Sequence, residues 1–385
     1  MKKIVIIIIL AYITFTPLFA QLSPGVGIGG WARYVISPVG GSGVLGEEFT
    51  ADNLYARNQS NQNWYFPSRG KVGLSSWGNS EYLGFNFDVC YIDGLIEAGD
   101  QAKVWVRPHD MIMFQFGKIE GNELRAVIPG GRLTFTEEEN DVFTRFNPVM
   151  GMLIDIRPIN GLYIGVSVDI ASKTGEPAMN VYSWDAERNA YQIGAGYKFD
   201  WGGHLRIQLL ANDGSVWSGK PIQAAFSYTG IHNLILEIGG LFPLKDLYAE
   251  NEIFSPAKGT LAAAYRIEQW DLMARATIAG YPYAEEFAGI RFKLGSVVKY
   301  TINFPLFVGA EIAYLSDYQE NFYTQQNDSQ PVLVDGVDLF QIVPFVGFKY
   351  CRGEFRIGFH WEQNFKGEEK KFKFEIPFML ELNFL

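Results

Sequence analysis

Along most of the chain, large apolar residues recur at every second position. Leu83, Phe85, Phe87, Val89 and Tyr91 alternate with Tyr82, Gly84, Asn86, Asp88 and Cys90. The same rhythm runs through Leu162, Ile164, Val166, Val168 and Ile170, through Tyr191, Ile193, Ala195, Tyr197 and Phe199, and through Phe355, Ile357, Phe359 and Trp361. It also ends the chain. In 371–385, Phe372, Phe374, Ile376, Phe378, Leu380, Leu382 and Phe384 alternate with residues that include Lys373, Glu375, Glu381 and Asn383. Successive side chains of an extended strand point to opposite faces, so a period of two predicts strands with one face out of water. No long stretch carries a helical period.

Turn chemistry separates these strands. Short connections are predicted at 78–80, 108–110, 158–161, 200–203, 230–233, 268–271 and 351–353. Longer polar ones are predicted at 37–65, 93–99, 120–148, 172–188, 213–219, 243–257, 280–286, 316–337 and 365–370. Short and long alternate from Val26 to Phe384, which fits about eighteen antiparallel strands, or about sixteen if the ambiguous stretch 294–306 is divided differently. The terminal alternation exceeds the roughly 9–11 residues that a tilted strand needs to cross a bilayer. The fold expected is therefore all-β, a transmembrane antiparallel up-and-down barrel. A soluble two-sheet sandwich is the rival. Closure favours the barrel, because hydrocarbon demands that every backbone N–H and C=O be paired.

Composition fits this picture without deciding it. Of the 385 residues 48% are hydrophobic and the mean hydropathy is +0.00, as expected where apolar and polar faces alternate. An aromatic share of 15% and 41 glycines suit interfacial girdles and a curved sheet. Trp77, Trp105, Trp201 and Trp270 all fall at or beside predicted short turns, where such a girdle would lie. The net charge of −10 argues against a nucleic-acid partner. Two cysteines, Cys90 and Cys351, form no disulfide framework. At the start, Lys2 and Lys3 precede an apolar run over 4–15, and Ala20 offers a cleavage position. Residues 1–20 are thus read as a signal peptide and 21–385 as a single barrel domain.

Charge on the second face makes the functional suggestion. Opposite the apolar rows stand Arg33, Arg69, Lys71, Lys103, Arg107, Arg157, Lys198, Arg206, Arg266, Arg275, Arg291, Lys293, Lys349, Arg356 and Lys373. Asp88, Asp155, Asp169, Glu237, Glu311 and Glu375 share that side. Charge inside a wide cylinder implies water inside it, since unpaired charge in a dry core is costly. The third long connection, 120–148, carries an acidic end in Glu137, Glu138, Glu139 and Asp141 and a bend at Pro129, Gly130 and Gly131. Of the four histidines, His109, His204 and His232 fall in or beside predicted turns, and His360 shares its face with Glu362 and Arg356. No histidine pair has metal spacing, and no cofactor motif is present. The glycines of 25–30 lie outside any βαβ pattern.

The ending 371–385 resembles the C-terminal assembly signal of bacterial outer-membrane barrels, with Phe384 penultimate rather than last. The run 102–126 also resembles porin-like barrels of spirochaetes. The resemblance implies a location in the outer membrane, in contact with its lipid. It implies that the barrel-assembly machinery is engaged through 371–385. A homotrimer is open, since porins of that kind bury one apolar wall against neighbours. The third external loop, 120–148, is expected to fold inward and constrict the pore with its acidic residues. The function expected is passive passage of small hydrophilic solutes or ions through a lumen biased by charge. A closed barrel whose loops bind a surface partner is the alternative, and a barrel-borne hydrolase using His360 is the third reading.

Overall fold

The computed structural model describes residues 23–57, 69–92, 95–119, 121, 123–124, 151–169, 191–211, 221–243, 257–280, 291–318, 323–324, 332–333, 337–366 and 371–384. Sequential strands pair antiparallel, each with the next, from Arg69–Asn79 through to Leu306–Tyr318, which pairs with Val337–Tyr350; Tyr323–Thr324 and Val332–Leu333, which come between those two in the chain, form a separate two-stranded sheet. The sheet then closes on itself. Ser23–Val44 pairs with Arg69–Asn79 on one edge, with Trp31 opposite Lys71. On its other edge it pairs with Phe378–Phe384, placing Tyr34 opposite Leu380, and with Lys371–Glu375, placing Gly40 opposite Glu375. The last strand of the chain therefore has no free edge.

The ring holds twenty strands, with Leu54–Arg57 outside it, rather than the eighteen or sixteen expected from alternation. The surplus arises in the final crossings of the wall, each of which is interrupted. Gly353–Gly358 and His360–Asn364 are separated at Phe359; Lys371–Glu375 and Phe378–Phe384 are separated at Ile376 and Pro377. Pro377 has no N–H to donate to a ladder. Neighbouring backbone bridges the break: Ile376 N–H donates to Val39 O at 2.9 Å and Gly358 N–H to Pro377 O at 3.1 Å. Proline leaves the apolar–polar phase intact, so counting alternations could not register the interruption.

Other connections differ from expectation for local reasons. Ile92 pairs with Leu95, so the predicted long connection 93–99 is largely strand Leu95–His109. The ambiguous stretch 294–306 is mostly strand Arg291–Asn303, joined to Leu306–Tyr318 through Phe304 and Pro305. Within 37–65 the first strand runs on to Val44, and a single 3₁₀ turn over Ala51–Asn53 precedes Leu54–Arg57. At the short-turn end Gly202 adopts φ +91, and a Cβ there would collide with the backbone of Gly230, so glycine is required. Cys90 is buried and Cys351 is exposed in its turn, both as free thiols.

Burial across the wall is the reverse of a water-soluble protein's. Arg206 is 3% exposed, whereas its sequence neighbour Ile207 is 51% exposed. Glu237 is 1% exposed beside Ile238 at 56%. The charged row thus faces inward and the hydrocarbon row outward, which excludes the sandwich. Water would not tolerate such a continuous apolar band. Trp201 and Trp270 are on the outer side near the short turns, with Trp201 5.8 Å from Tyr228 and Trp270 4.6 Å from Tyr300 between ring centres. They form part of the expected girdle. Trp77 and Trp105 do not: they share the inner face with Ser75 and Lys103.

Leu261, mid-strand and outward-facing, tests this orientation. Leu261→Arg is expected to cost about 2–4 kcal/mol in a bilayer. A urea titration of folding into lipid vesicles measures it, with Ala264, which borders an inner-face cavity, as the control site.

Candidate functional site on the inner face of the barrel

Inner-face polar groups are joined across strands by register. Around Asp155, the Gln115 Nε2 donates to Oδ2 at 2.6 Å and the Tyr163 hydroxyl to Oδ1 at 2.7 Å. Lys103 Nζ extends the chain by donating to Gln115 Oε1 at 2.8 Å. Four consecutive strands are linked in this way. Arg206 and Glu237 form a second link, 3.0 Å from Nη2 to Oε1, with both side chains excluded from solvent. They reach over an intervening strand because the residues opposite them on it, Ala225 and Ser227, are small. A third group lies towards the short turns. Arg356 donates through Nε to Glu354 and has Nη1 3.8 Å from Glu311 Oε1. Nearby, Asp271 accepts from Arg266 and lies 3.1 Å from Lys299 Nζ. These residues border a cavity of about 870 Å³.

A fourth group joins the wall to the chain that leaves it. Ile112–Lys118 ends at the long-connection end of the barrel. Glu123, only five residues on, meets side chains at the opposite end. Its carboxylate accepts from Arg157 at 2.7 Å and from Lys198 at 3.0 Å, and both donors flank short turns. Ile119 and Leu124 are buried against Leu153 and Tyr163 on the inner face. Glycine makes the room: a Cβ at Gly196 would stand 3.0 Å from Leu124 Cδ2 and from His204 Nε2. Burial pushes the Glu123 carboxyl up, but the hydrogen bonds and charge of Lys198 and Arg157 outweigh it and hold it below the usual carboxylate value.

The inner-face residues expected from sequence fall into several positions. Asp155, Arg206, Glu237, Arg275, Lys293 and Glu311 are buried. Lys103, Arg107 and Asp88 border a separate cavity of about 530 Å³. Arg157, Lys198 and Arg266 are exposed near the short turns. Arg69, Lys71, Asp169 and Arg291 occupy strand positions, but their side chains lie outside the described residues, as do Glu137, Glu138, Glu139 and Asp141. His360 is buried with Nε2 3.8 Å from Glu362. Among the described residues no cluster of His, Cys, Asp or Glu could hold a metal ion.

Sequence reasoning passed over Gln115, Tyr163, Glu123, Trp77 and Trp105 as inner-face groups. Strand phase carried the signal for four of them, since Trp77 alternates in step with Ser75, Trp105 with Lys103 and Arg107, Gln115 with Met113, and Tyr163 with Ser167. Glu123 carried none, because it lies beyond its strand.

Comparison with known proteins supplies a fold. No family model matches the chain, and no curated protein matches it. Solved structures do. The chain is similar to OccD3 (OpdP) of Pseudomonas aeruginosa, with a TM-score of 0.55 at 10% identity, covering 95% of this chain and 93% of that one. It is similar to the outer membrane protein opdK of the same organism, at 0.54 and 9% identity, covering 94% and 99%. OprD, also from that organism, gives 0.51 and 11% identity, covering 94% and 96%. At such identities the likeness establishes the architecture, a closed β-barrel of the kind seen in these bacterial proteins.

Two outcomes are expected of the wall's charge pairs. Glu237→Leu removes a buried charge partner of Arg206 and should cost up to about 3–5 kcal/mol, whereas Glu237→Leu with Arg206→Met should cost less. Urea midpoints of unfolding from lipid measure the cycle. The Glu123 pairs are partly exposed and should contribute no more than about 1 kcal/mol. Because the folded carboxyl titrates below its unfolded value, that contribution is present above about pH 4.5 and is lost as pH falls through the lowered value. The difference in unfolding temperature between wild type and Glu123→Gln should therefore vanish in acid.

Proposed function

We propose that this protein is a channel of the bacterial outer membrane through which small hydrophilic solutes or ions diffuse. One observation carries the reading: a closed ring whose outer face is hydrocarbon and whose inner face is charged. The outer face is solvated by lipid, and the inner face supplies a polar route where bilayer hydrocarbon would present a barrier. Passage of this kind needs no covalent chemistry. The burial of His360 does not favour a hydrolytic site.

In this reading residues 1–20 direct export, 371–385 engages the assembly machinery, and the apolar outer wall accepts lipid or neighbouring copies in a homotrimer. The connection 120–148 folds into the lumen and narrows it. Supporting this are Glu123 held between Arg157 and Lys198, Leu124 packed on the inner wall, and the burial of Arg206, Arg275 and Lys293 on that wall. The acidic run Glu137, Glu138, Glu139 and Asp141 then faces a basic surface, and a transverse field of that kind selects ions by sign.

Purified protein should raise planar-bilayer conductance in discrete steps; a persistently silent bilayer would overturn the channel. Replacing Glu137, Glu138 and Glu139 together by Gln should shift ion preference toward anions. An unchanged reversal potential in a salt gradient would remove the constriction and leave the channel standing.

A further inference from the structure

The cavity of about 530 Å³ on the inner wall is walled by two tryptophans that lie flat on the sheet. Trp77 is paired across the ladder with Gly25, and a Cβ at Gly25 would collide with its indole. Trp105 is paired with Gly84, where a Cβ would collide in the same way. Only a glycine lets each ring rest on backbone. Two sheet spacings, about 10 Å, separate the strands that carry them. Trp77 is 37% exposed. Arg107 lies over the Trp105 ring, 5.5 Å from its centre, so that ring is covered by Gly84 on one side and a guanidinium on the other, and Trp77 is the open platform.

Between the rings stand groups with acceptors to spare. Asn86 Nδ2 donates to Gln101 Oε1 at 3.1 Å, but the enclosed Asn86 Oδ1 accepts from none of the described residues. Asp88 adds a carboxylate to the lining. Lys103 is already engaged by Gln115. The missing partner is therefore a donor. A carboxylate group supplies no donor to Asn86 Oδ1, a purely aromatic hydrocarbon would leave that atom unsatisfied, and a cation would meet Lys103 and Arg107. A ligand with an apolar face and several hydroxyls satisfies every part: C–H groups against indole, O–H groups to amide and carboxylate. The cavity is within the roughly 300–1,000 Å³ range of small-molecule sites.

We propose that Trp77 and Asn86, with Gln101 and Asp88, form a saccharide subsite in which a neutral pyranose ring stacks on Trp77 as it passes along the lumen. The inference rests on the channel reading and assigns that channel a substrate class.

Maltotriose is the probe, added to full-length protein in a planar bilayer. It should interrupt the ionic current in a concentration-dependent way. The half-blocking concentration should rise about tenfold in Trp77→Leu, the effect of losing the stacked ring. Asn86→Leu should raise it severalfold. Trp201→Leu, on the outer wall, should leave it unchanged, and heat-modifiable gel mobility confirms that each variant is folded. Conductance steps that maltotriose never interrupts would overturn the subsite while leaving the channel. Block by indole-3-acetate but not by maltotriose would overturn the sugar assignment. If the bilayer is silent, the channel reading falls, and the subsite is read from tryptophan fluorescence in detergent. A maltotriose-dependent change that Trp77→Leu abolishes supports it; no change, or one that persists in that variant, overturns it.

Discussion

Everything in this barrel depends on the pairing of backbone groups around a closed ring. A peptide N–H or C=O left unpaired against hydrocarbon costs several kcal/mol. The seam between Ser23–Val44 and the C-terminal strands leaves neither sheet edge open. Once the ring is closed, alternation decides the rest. Every residue must face either the exterior or the lumen, and the two faces have opposite solvents. Even the interruption at Pro377 is bridged by hydrogen bonds from neighbouring backbone, because a gap in the wall would cost more than a local distortion.

Polar groups turned inward at this density cannot all be solvated by bulk water. They are held instead in cross-strand chains, as in Lys103–Gln115–Asp155–Tyr163 and Arg206–Glu237. Burial of unpaired charge is the term that would otherwise destabilise such a wall, and pairing offsets it. Small residues have a matching role. Ala225 and Ser227 let an arginine reach over a strand, Gly196 admits Leu124, and Gly25 and Gly84 let indoles lie flat. Cavities of about 530 and 870 Å³ lie along the inner face between these groups.

Alternation over segments such as Leu83–Ile92 and Leu162–Asp169 is enough to read the strands, the faces and the short turns, because a period of two is a local property of the chain. The strand count and the extent of 93–99 were less legible. A proline in phase and a pairing of Ile92 with Leu95 change hydrogen bonding without changing the pattern of apolar positions. Trp77 and Trp105 lie near turns, as girdle residues do, but their phase marks them as inward-facing. On a strand, parity outranks position along the axis, since parity alone sets which solvent a side chain meets.

The amino-acid order by itself determined that this chain makes long antiparallel strands with one greasy and one charged face, since both depend on residues two apart. Tertiary structure alone decided which charges meet. Arg206 finds Glu237 from 31 positions away, and Glu123 finds Lys198 from 75, distances at which no local pattern exists. Those meetings are set by the register of strands around the ring and by where a connection re-enters it, and both are properties of the closed sheet as a whole.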